Sequence, residues 1–345
     1  MKKILFIAAS DRYYTSSNHT YYDILLHFKN NSNNNTEIIW TNDYNKINKS
    51  YIDSIIPDLV VFFDVDTLRF ADNFDYIFNS NIKIISCSLD LFYFNYCINC
   101  KYIQKCDGIF QFPESIKLLQ SYKDYFPNKI IGSFKGRYIN TLRYYNYNLA
   151  KEYDILIYGT RTFLNKIENH YVDQEYKIKW EKFYNSKIMN EHQFYPLRNK
   201  LETLLLKNKN KYRLCIIPQK GSLDKNSNIT NENLSMLINK SHLTICTCSR
   251  SNLLMDKYME TAASYSAILG NIPSDYEELF KNNIVEVTEW MCDEEILSII
   301  DKALEDKEKL WKMTQRLGDR VHSEYNLDVA VKNIDKVFDN ILNIN

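Results

Sequence analysis

The sequence predicts an α/β protein built from two Rossmann-like domains. Short apolar runs alternate with helical segments along the first half of the chain, a pattern typical of parallel strands that are covered on both faces. The same alternation starts again at Tyr153, after a stretch rich in Tyr and Asn. A single core rarely grows beyond ~250–300 residues, whereas this chain has 345. Two domains therefore fit both the pattern and the length.

The first predicted domain comprises residues 1–150. A helix over residues 21–29 separates its first two strands, and residues 52–56 lead through Pro57 into the third. Strand character fades between residues 130 and 150, so we place the boundary near Leu149. The predicted strands are residues 3–9, 37–40, 59–63, 82–86 and 108–112.

The second predicted domain comprises residues 151–325. Its charged and aromatic segment 163–194 has weak periodicity and is typical of an insertion after the first strand. Residues 326–345 form a last amphipathic helix. Strand character restarts over residues 153–161, and further strands are predicted at residues 214–217, 242–247, 267–269 and 284–287. Residues 195–201 lead into a helix that continues to about residue 207, and the other predicted helices are residues 231–239, 294–304 and 307–324.

The charge balance excludes several kinds of partner. The 43 basic and 43 acidic residues cancel, so no global field favours nucleic acid or an anionic membrane. The apolar run at residues 4–9 is too short for a signal sequence and is followed by Asp11 and Arg12. No stretch approaches the ~18 apolar residues of a membrane span. We therefore expect a soluble, cytoplasmic protein.

One stretch, residues 256–273, carries the clearest functional signal. Asp256 is a plausible N-cap for a short helix whose apolar face includes Tyr258 and Met259. A brief apolar run follows and closes at a turn containing Gly270. Glu260 stands early in this helix, where a carboxylate near backbone N–H groups suits a ligand with both hydroxyls and phosphates.

These residues resemble a known family. The run Lys-Tyr-Met-Glu-Thr-Ala-Ala-Ser, at 257–264, followed by Ala-Ile-Leu-Gly-Asn-Ile-Pro, at 267–273, resembles the donor-site signature of GT-B glycosyltransferases, in particular the branch with a spore-maturation-type glycosyltransferase domain. The resemblance implies that Glu260 holds the two ribose hydroxyls of a nucleotide-sugar and that Lys257 is the neighbouring basic residue. Many relatives carry a second glutamate eight positions upstream, where this chain has Asn252.

The resemblance also implies an architecture and a reaction. The two domains are expected to face each other across a cleft, the first binding the acceptor and the second the donor, with the last helix crossing back to the first domain. The reaction moves a sugar from a nucleotide-diphosphate sugar, by default a UDP-sugar, to a glycan, protein or small-molecule acceptor. We expect Glu260 to face this ligand and to contribute little to folding.

The departing diphosphate needs its growing negative charge stabilised, either by a metal or by fixed cations and backbone dipoles. We expect cations to do this, so no metal or other cofactor is predicted. The acidic pair of Asp64 and Asp66 matches a bare metal-binding pattern, but a turn at a strand end explains it better. The predicted donor-binding residues are Glu260, Lys257, Arg198, Lys220, Arg250, Gly159 and Thr160.

The acceptor side is predicted from strand ends in the first domain. Ligands of parallel sheets gather at the carboxyl ends of the strands, and Asp11, His19 and Asp90 follow such ends. An inverting mechanism needs one of them to deprotonate the acceptor hydroxyl, whereas a retaining one relies more on the donor phosphate. Two alternatives stay open, namely a non-catalytic GT-B-like protein that binds nucleotide or sugar, and a nucleotide-sugar epimerase of the same fold.

The cysteines allow a second kind of site. Cys87, Cys97, Cys100 and Cys106 lie close together in sequence, and a zinc site among them is conceivable. The second pair of a two-knuckle pattern is absent, so we favour reduced thiols in the core. Cys246 and Cys248 are interpreted as packing residues within a strand.

Overall fold

The structure is a computed structural model that describes residues 1–8, 19–40, 49–64, 67–68, 75–88, 98–112, 115–134, 136–159, 178, 195–217, 231–249 and 252–343. Contacts between residues divide the chain into two compact units. The first contains Met1–Tyr138 and Leu327–Asn345, and the second contains Ile139–Ile167 and Val172–Asn326. Each unit has its own parallel sheet with helices, which confirms the predicted α/β class with two Rossmann-like domains.

The sheet of the first unit is parallel throughout and has the strand order β2-β1-β3-β4-β5-β6. Its strands are β1 (Lys3–Ala8), β2 (Asn35–Trp40), β3 (Leu59–Phe63), β4 (Lys83–Ser88), β5 (Gly108–Gln111) and β6 (Ile130–Ser133). Its helices are α1 (His19–Asn31), α2 (Lys49–Ile55), α3 (Asp75–Phe78), α4 (Ile116–Tyr125) and α11 (Leu327–Asn343), with a 3₁₀ turn at Ile103–Lys105.

The last helix of the chain completes the core of this first unit. The Phe338 ring on α11 lies 5.8 Å from that of Phe6 and 5.7 Å from those of Phe28 and Phe134, measured between centroids. Asp335 on the same helix accepts hydrogen bonds from the Ser32 hydroxyl at 2.5 Å and from the Asn34 side-chain amide at 2.8 Å. The helix is therefore joined to the unit by both apolar and polar contacts.

The sheet of the second unit is also parallel, with the order β11-β10-β9-β7-β8. Its strands are β7 (Tyr153–Ile157), β8 (Leu214–Ile216), β9 (Ser241–Ile245), β10 (Ala267–Gly270) and β11 (Val285–Glu286). Its helices are α5 (Pro196–Lys207), α6 (Asn231–Asn239), α7 (Asp256–Ala263), α8 (Glu277–Phe280), α9 (Asp293–Glu305) and α10 (Lys307–Glu324), with a 3₁₀ turn at Ser274–Tyr276.

Both sheets repeat one topology. In each, the first strand lies between the second and the third, and the later strands follow in sequence order. In doubly wound sheets of this kind the crossover direction reverses beside the first strand, and the carboxyl ends of the first and third strands form a crevice that binds ligands. In the second unit these strands are β7 and β9, so the topology predicts a ligand-binding crevice at their carboxyl ends.

Three sequence-based assignments differ from the structure. Ile130–Ser133 forms strand β6 where we expected strand character to fade, because it is a short edge strand in which only Ser133 is buried. Strand β9 ends at Ile245, so Cys246 and Cys248 follow the strand instead of lying within it. Helix α7 has Met255 as its N-cap, and Asp256 is its first helical residue. The charge of Asp256 still suits the positive end of the helix dipole.

None of the helices within the described ranges combines the length and the apolar character needed to cross a membrane.

Candidate functional site

The candidate site lies at the carboxyl ends of β7 and β9 in the second unit. Tyr158 and Gly159 follow β7, Cys246 follows β9, and helix α7 begins ten residues later. This helix buries Tyr258, Met259, Ala262 and Ala263 completely, as their helical spacing predicts. It ends at the C-cap Ser264, before Tyr265 with a left-handed φ of 55°. Packing of this apolar face fixes the positions of Lys257 and Glu260 on the same helix.

Glu260 is held by two tyrosine hydroxyls. Its Oε2 accepts a hydrogen bond from the Tyr158 hydroxyl at 2.9 Å, and its Oε1 accepts one from the Tyr144 hydroxyl at 3.4 Å. Burial raises the pKa of both tyrosines well above the ordinary value, and the nearby Glu260 carboxylate raises both further. Both hydroxyls therefore keep their protons and act as donors toward the carboxylate.

The burial of Glu260 corrects one expectation from the sequence. Only 5% of the residue is exposed, so the carboxylate does contribute to the packed interior. A change of Glu260 to alanine would leave two buried hydroxyls without their acceptor, at a cost of about 1–3 kcal/mol for each buried group. Replacing Glu260 by alanine should therefore lower the stability of the fold more than we expected.

Lys257 lies one helical turn before Glu260 and directs its amine back to β7. The amine donates a hydrogen bond to the Tyr158 carbonyl oxygen and lies 3.9 Å from the centroid of the Tyr158 ring. Although the residue as a whole is only half-buried, its amine is enclosed by these groups. Burial lowers the pKa of Lys257 well below its ordinary value of 10.5, and the positive charge of Arg198 lowers it further.

Gly159 makes room for these cations. Its φ of 99° lies in the region that favours glycine. A Cβ at this position would overlap the Lys257 Nζ and Cε atoms and would come within 3.4 Å of the Arg198 Nη1 atom. The chain thus needs glycine here for two reasons, the backbone conformation and the close approach of two charged side chains.

Arg198 comes from the first turn of α5. Pro196 occupies the start of this helix, where its fixed φ and missing N–H are compatible with helical structure. Arg198 is 2% exposed, and its guanidinium carbon lies 3.8 Å from the centroid of the Tyr195 ring. Two cations therefore converge near Gly159, and an anion placed between them would relieve the repulsion that lowers the pKa of Lys257.

The structure brings four of the predicted donor-binding residues together, namely Glu260, Lys257, Arg198 and Gly159. Their role in binding a donor stays a prediction. The other predicted donor residues, Thr160, Lys220 and Arg250, lie outside the described residues.

Little of the predicted acceptor site lies within the described residues. His19 begins helix α1 in the first unit, but its side chain lies outside the described part of the structure, as do Asp11 and Asp90. Asp64 follows β3 with a φ of 92°, and its carbonyl oxygen accepts hydrogen bonds from the Thr67 N–H at 3.0 Å and from the Thr67 hydroxyl at 2.5 Å. This turn agrees with the structural interpretation of Asp64, whereas Asp66 is not described.

The tyrosines of the site were not found from the sequence. Tyr144 and Tyr158 contact Glu260 across 116 and 102 positions of the chain. Nothing distinguishes them locally among the 27 tyrosines of this protein. The position of Tyr158 directly after a strand, next to a glycine, is the one signal that pointed toward it.

Asn252, which replaces the upstream glutamate of many relatives, has a backbone role. Its φ is 55°, a left-handed conformation that asparagine tolerates better than most residues. Its carbonyl oxygen accepts a hydrogen bond from the Ser274 N–H at 3.3 Å. This residue joins the segment before α7 to the turn after β10.

The described residues contain no group of three or more His, Cys, Asp or Glu side chains that could hold a metal ion. Cys87, Cys100 and Cys106 are free thiols, and Cys97 lies outside the described ranges. Burial raises the pKa of Cys87, Cys100 and Cys106. Such thiols are poor thiolate donors without a metal.

Comparisons with known proteins show which solved structures share the fold of this chain. No model of a known protein family matches this chain, and no curated protein matches it significantly in sequence. Solved structures do match. Sucrose-phosphate synthase from Thermosynechococcus elongatus is similar to it with a TM-score of 0.61 and 10% sequence identity, over 99% of each chain.

Two further structures agree. HepE from Anabaena, solved with UDP and glucose, has a TM-score of 0.59 and 10% identity, over 99% of this chain and 100% of HepE. A glycosyltransferase from Rickettsia africae has a TM-score of 0.57 and 12% identity, over 100% of this chain and 99% of the other. At such low identity the similarity establishes the fold alone, and this chain has the fold of the GT-B glycosyltransferases.

Proposed function

We propose that this protein is a glycosyltransferase that takes a sugar from a nucleoside-diphosphate sugar, with UDP as the default nucleotide. The observation that carries the proposal is the convergence of Lys257 and Arg198 at Gly159, with Glu260 bonded to the neighbouring Tyr158, at the carboxyl ends of β7 and β9. Two cations suit a diphosphate, and a carboxylate suits the ribose diol. Structures of similar fold solved with UDP, such as HepE, lend support to the nucleotide.

In the proposed mechanism the second unit binds the donor and the first unit binds the acceptor. Glu260 accepts hydrogen bonds from the ribose hydroxyls, while Lys257 and Arg198 stabilise the negative charge that grows on the departing diphosphate. Fixed cations do this without a metal, so the proposed transfer is metal-independent. Asp11, His19 and Asp90 remain the proposed groups for activating the acceptor hydroxyl.

The finer family assignment is part of the same proposal. The pattern from Lys257 to Ser264 supports the branch with a spore-maturation-type domain. The main alternative is a GT-B-like protein that binds nucleotide without turnover. It is favoured by one observation, the use of Asn252 for a backbone contact where many relatives have a glutamate.

The decisive variant is Glu260→Gln, because it keeps the shape of the side chain and one acceptor oxygen for the tyrosines. Charge-assisted hydrogen bonds are worth about 1.5–3 kcal/mol, so losing part of this contribution should weaken UDP binding roughly tenfold. Titration calorimetry with UDP measures this directly. A UDP affinity that does not change in Glu260→Gln would remove the main support for the proposed site.

The matched control is Asp301→Asn. Asp301 also accepts a hydrogen bond from a tyrosine hydroxyl, that of Tyr212, at 2.8 Å in the same unit. Its change should leave the UDP affinity as it was. If UDP itself does not bind, a thermal-shift panel of GDP-, TDP- and CMP-sugars identifies the nucleotide, since a ligand at a hundred times its Kd adds about 2.7 kcal/mol.

Turnover separates the transferase from its alternatives. A transferase should release UDP from UDP-glucose slowly when water is the acceptor, and equally in EDTA and in Mn²⁺. A binding protein should release none above background. An epimerase should instead convert the donor alone into a second nucleotide-sugar. Release that EDTA abolishes and Mn²⁺ restores would contradict metal independence.

A further inference from the structure

We propose that the amino-terminal end of helix α4, in the first unit, is a binding site for a phosphate group. Two buried side chains carry this inference, the Ser115 hydroxyl at the start of the helix and the Gln111 amide at the end of β5. These residues are 1% and 0% exposed, and neither side chain has a hydrogen-bond partner within the described residues. The inference does not rest on the proposed function, because the proposed donor site belongs to the second unit.

The start of α4 has donor groups without acceptors inside the helix. Ser115 is the N-cap and has the extended backbone usual there, with a φ of −133°, yet its side chain makes no cap hydrogen bond. A serine N-cap ordinarily accepts a bond from an N–H group of the first turn. The Leu119 N–H donates to the Ser115 carbonyl oxygen at 2.8 Å, so the N–H groups of residues 116–118 have no acceptor within the helix.

The charge at this helix end also favours an anion. The first turn of α4 contains no acidic residue, although acidic side chains usually stabilise the positive end of a helix dipole. Backbone N–H groups and the dipole together make such an end suitable for a phosphate.

The side chain of Gln111 points to the face of the sheet that lies away from helix α11. The preceding ring, that of Phe110, lies 5.4 Å from the Phe134 ring, which in turn packs on α11. Phe110 therefore faces α11. Successive side chains of a strand point to opposite faces, so Gln111 points to the other face.

The crossover directions place α4 on the same face as Gln111. Helix α1 connects β1 to β2, and α4 connects β5 to β6 in the opposite direction across the sheet. Such crossovers are almost always right-handed, so α1 and α4 lie on opposite faces. The Phe28 ring on α1 lies 5.7 Å from the Phe338 ring on α11, so α1 shares the face of α11. Helix α4 therefore starts beside the end of β5, on the face to which Gln111 points.

The donors at this place outnumber the acceptors, and this difference identifies the chemistry of the ligand. The Gln111 amide nitrogen has two donors, the Ser115 hydroxyl has one, and the first turn of α4 adds backbone N–H groups. Among these groups, only the Gln111 carbonyl oxygen is restricted to accepting. An oxyanion accepts hydrogen bonds from several donors at once. A phosphate group therefore fits, either as the free ion or as a phosphate ester.

The experiment measures phosphate binding apart from the cations of the second unit. Equilibrium dialysis gives the Kd of inorganic phosphate for the full-length Lys257→Met protein, in which one of those cations is lost. Ser115→Ala and Gln111→Met are each added to this parent protein. Each should weaken phosphate binding by roughly tenfold, the factor that corresponds to 1.4 kcal/mol.

The controls make the same two changes at exposed positions of α4. In Ser121→Ala the lost hydroxyl is one that donates to the Lys117 carbonyl oxygen at 3.0 Å. In Gln120→Met the lost amide is one that donates to the Asp124 carboxylate at 2.7 Å. Both controls should keep the Kd of the parent protein.

Thermal unfolding gives a second readout, which an ordinary helix cap would not produce. Because Ser115 makes no cap hydrogen bond, Ser115→Ala should leave the Tm in phosphate-free buffer unchanged. It should remove most of the increase in Tm that phosphate gives the parent protein. A lower Tm without phosphate would show that the hydroxyl caps α4 itself, and this overturns the proposal.

The source of the phosphate group is identified with glucose 6-phosphate, inorganic phosphate and glucose as probes. Tighter binding of glucose 6-phosphate assigns an ester, and tighter binding of inorganic phosphate assigns the free ion. Binding of glucose without either phosphate compound overturns the proposal. A parent protein that binds no phosphate, or a Kd that stays unchanged in both Ser115→Ala and Gln111→Met, also overturns it. The affinity of the wild type for UDP tests the proposed function separately.

Discussion

The two sheets share a strand order but differ in what their carboxyl ends present. At the end of β7 the second unit gathers Glu260, Lys257 and Arg198, all held by specific contacts. At the end of β5 the described part of the first unit presents Gln111, which is fully buried and whose amide has no hydrogen-bond partner there. These two described strand ends therefore present different side chains.

This difference in side chains shows that sheet topology fixes where a ligand can bind, whereas the side chains determine the chemistry at that position. In the second unit, the Tyr158 and Tyr144 hydroxyls donate hydrogen bonds to the Glu260 carboxylate, and the Lys257 amine donates one to the Tyr158 carbonyl oxygen. In the first unit, the buried neutral amide of Gln111 has no hydrogen-bond partner among the described residues, and burial of such an amide costs free energy. The proposed function places donor binding at the edge of the second unit, and three variants test that proposal.

Gly159→Ala should have the largest effect on the cluster of Glu260, Lys257 and Arg198 at the end of β7. The left-handed φ of 99° strains any L side chain, and the new Cβ would overlap the end of Lys257. Displacement of this cation should lower the UDP affinity by about a hundredfold, which corresponds to roughly 2.7 kcal/mol. Calorimetry measures the affinity, and circular dichroism on heating measures the accompanying fall in Tm.

The control is Gly136→Ala in the first unit. Its Cβ would come 3.2 Å from the Tyr138 ring. A modest loss of stability with unchanged UDP affinity is expected. If Gly159→Ala bound UDP within about threefold of wild type, the two cations would not need this glycine, and the described geometry would not be that of the bound state.

Lys257→Met should weaken UDP binding by about tenfold or more, since a charge-assisted hydrogen bond is worth roughly 1.5–3 kcal/mol. Burial and Arg198 lower the pKa of Lys257 in the free protein, and a bound diphosphate should raise it again. At a pH between the pKa of Lys257 in the free protein and its pKa in the complex, the wild type should therefore take up protons on binding UDP, and the variant should not. Calorimetry in two buffers of different ionisation enthalpy measures this uptake.

The stability of the free protein gives an independent check on the same residue. The folded pKa of Lys257 lies below its unfolded value of 10.5, so between the two the unfolded state binds more protons. The free energy of unfolding contributed by this group should rise as the pH rises through the folded pKa. The Tm of wild type relative to Lys257→Met should increase with pH in that window. A difference that stays constant would mean that the amine is solvated.

Gln111→Met should have the smallest effect. It tests the strand end of the first unit instead of that of the second. Replacing a buried amide that has no partner in the described residues by an apolar side chain of similar size should raise the Tm slightly. The UDP affinity should not change, because β5 lies in the other unit. A lower Tm would reveal a partner for the amide, and an altered UDP affinity would extend donor binding to the first unit.

Much of the fold could be predicted because buried parallel strands have a local signature. Strand β3, Leu59–Phe63, is fully buried and fully apolar, and such a run is recognisable without its neighbours. Strand β6 was missed because a half-buried edge strand lacks that signature. Strand order depends on pairing between distant segments, so no local pattern contains it.

The candidate site divides in the same way. Lys257 and Glu260 are three positions apart on one helix, and their spacing alone suggests that they act together. Tyr158 and Tyr144 reach Glu260 from more than a hundred positions away. Their side chains become part of the site only when β7 and α7 pack, and a single sequence carries no record of that packing.

Helix α11 has a consequence for how the chain folds during synthesis. Phe338 packs on Phe6 and Phe28, so the core of the first unit is incomplete until the last helix has been made. At about 5–20 residues per second, the ribosome needs roughly 10–40 seconds to make the ~200 residues between Tyr138 and Phe338. The second unit, whose main segments are complete by Asn326, can therefore fold before the first. The usual order of domain folding during translation is then reversed, and the aromatic surface that awaits Phe338 is what a chaperone would meet on the nascent chain.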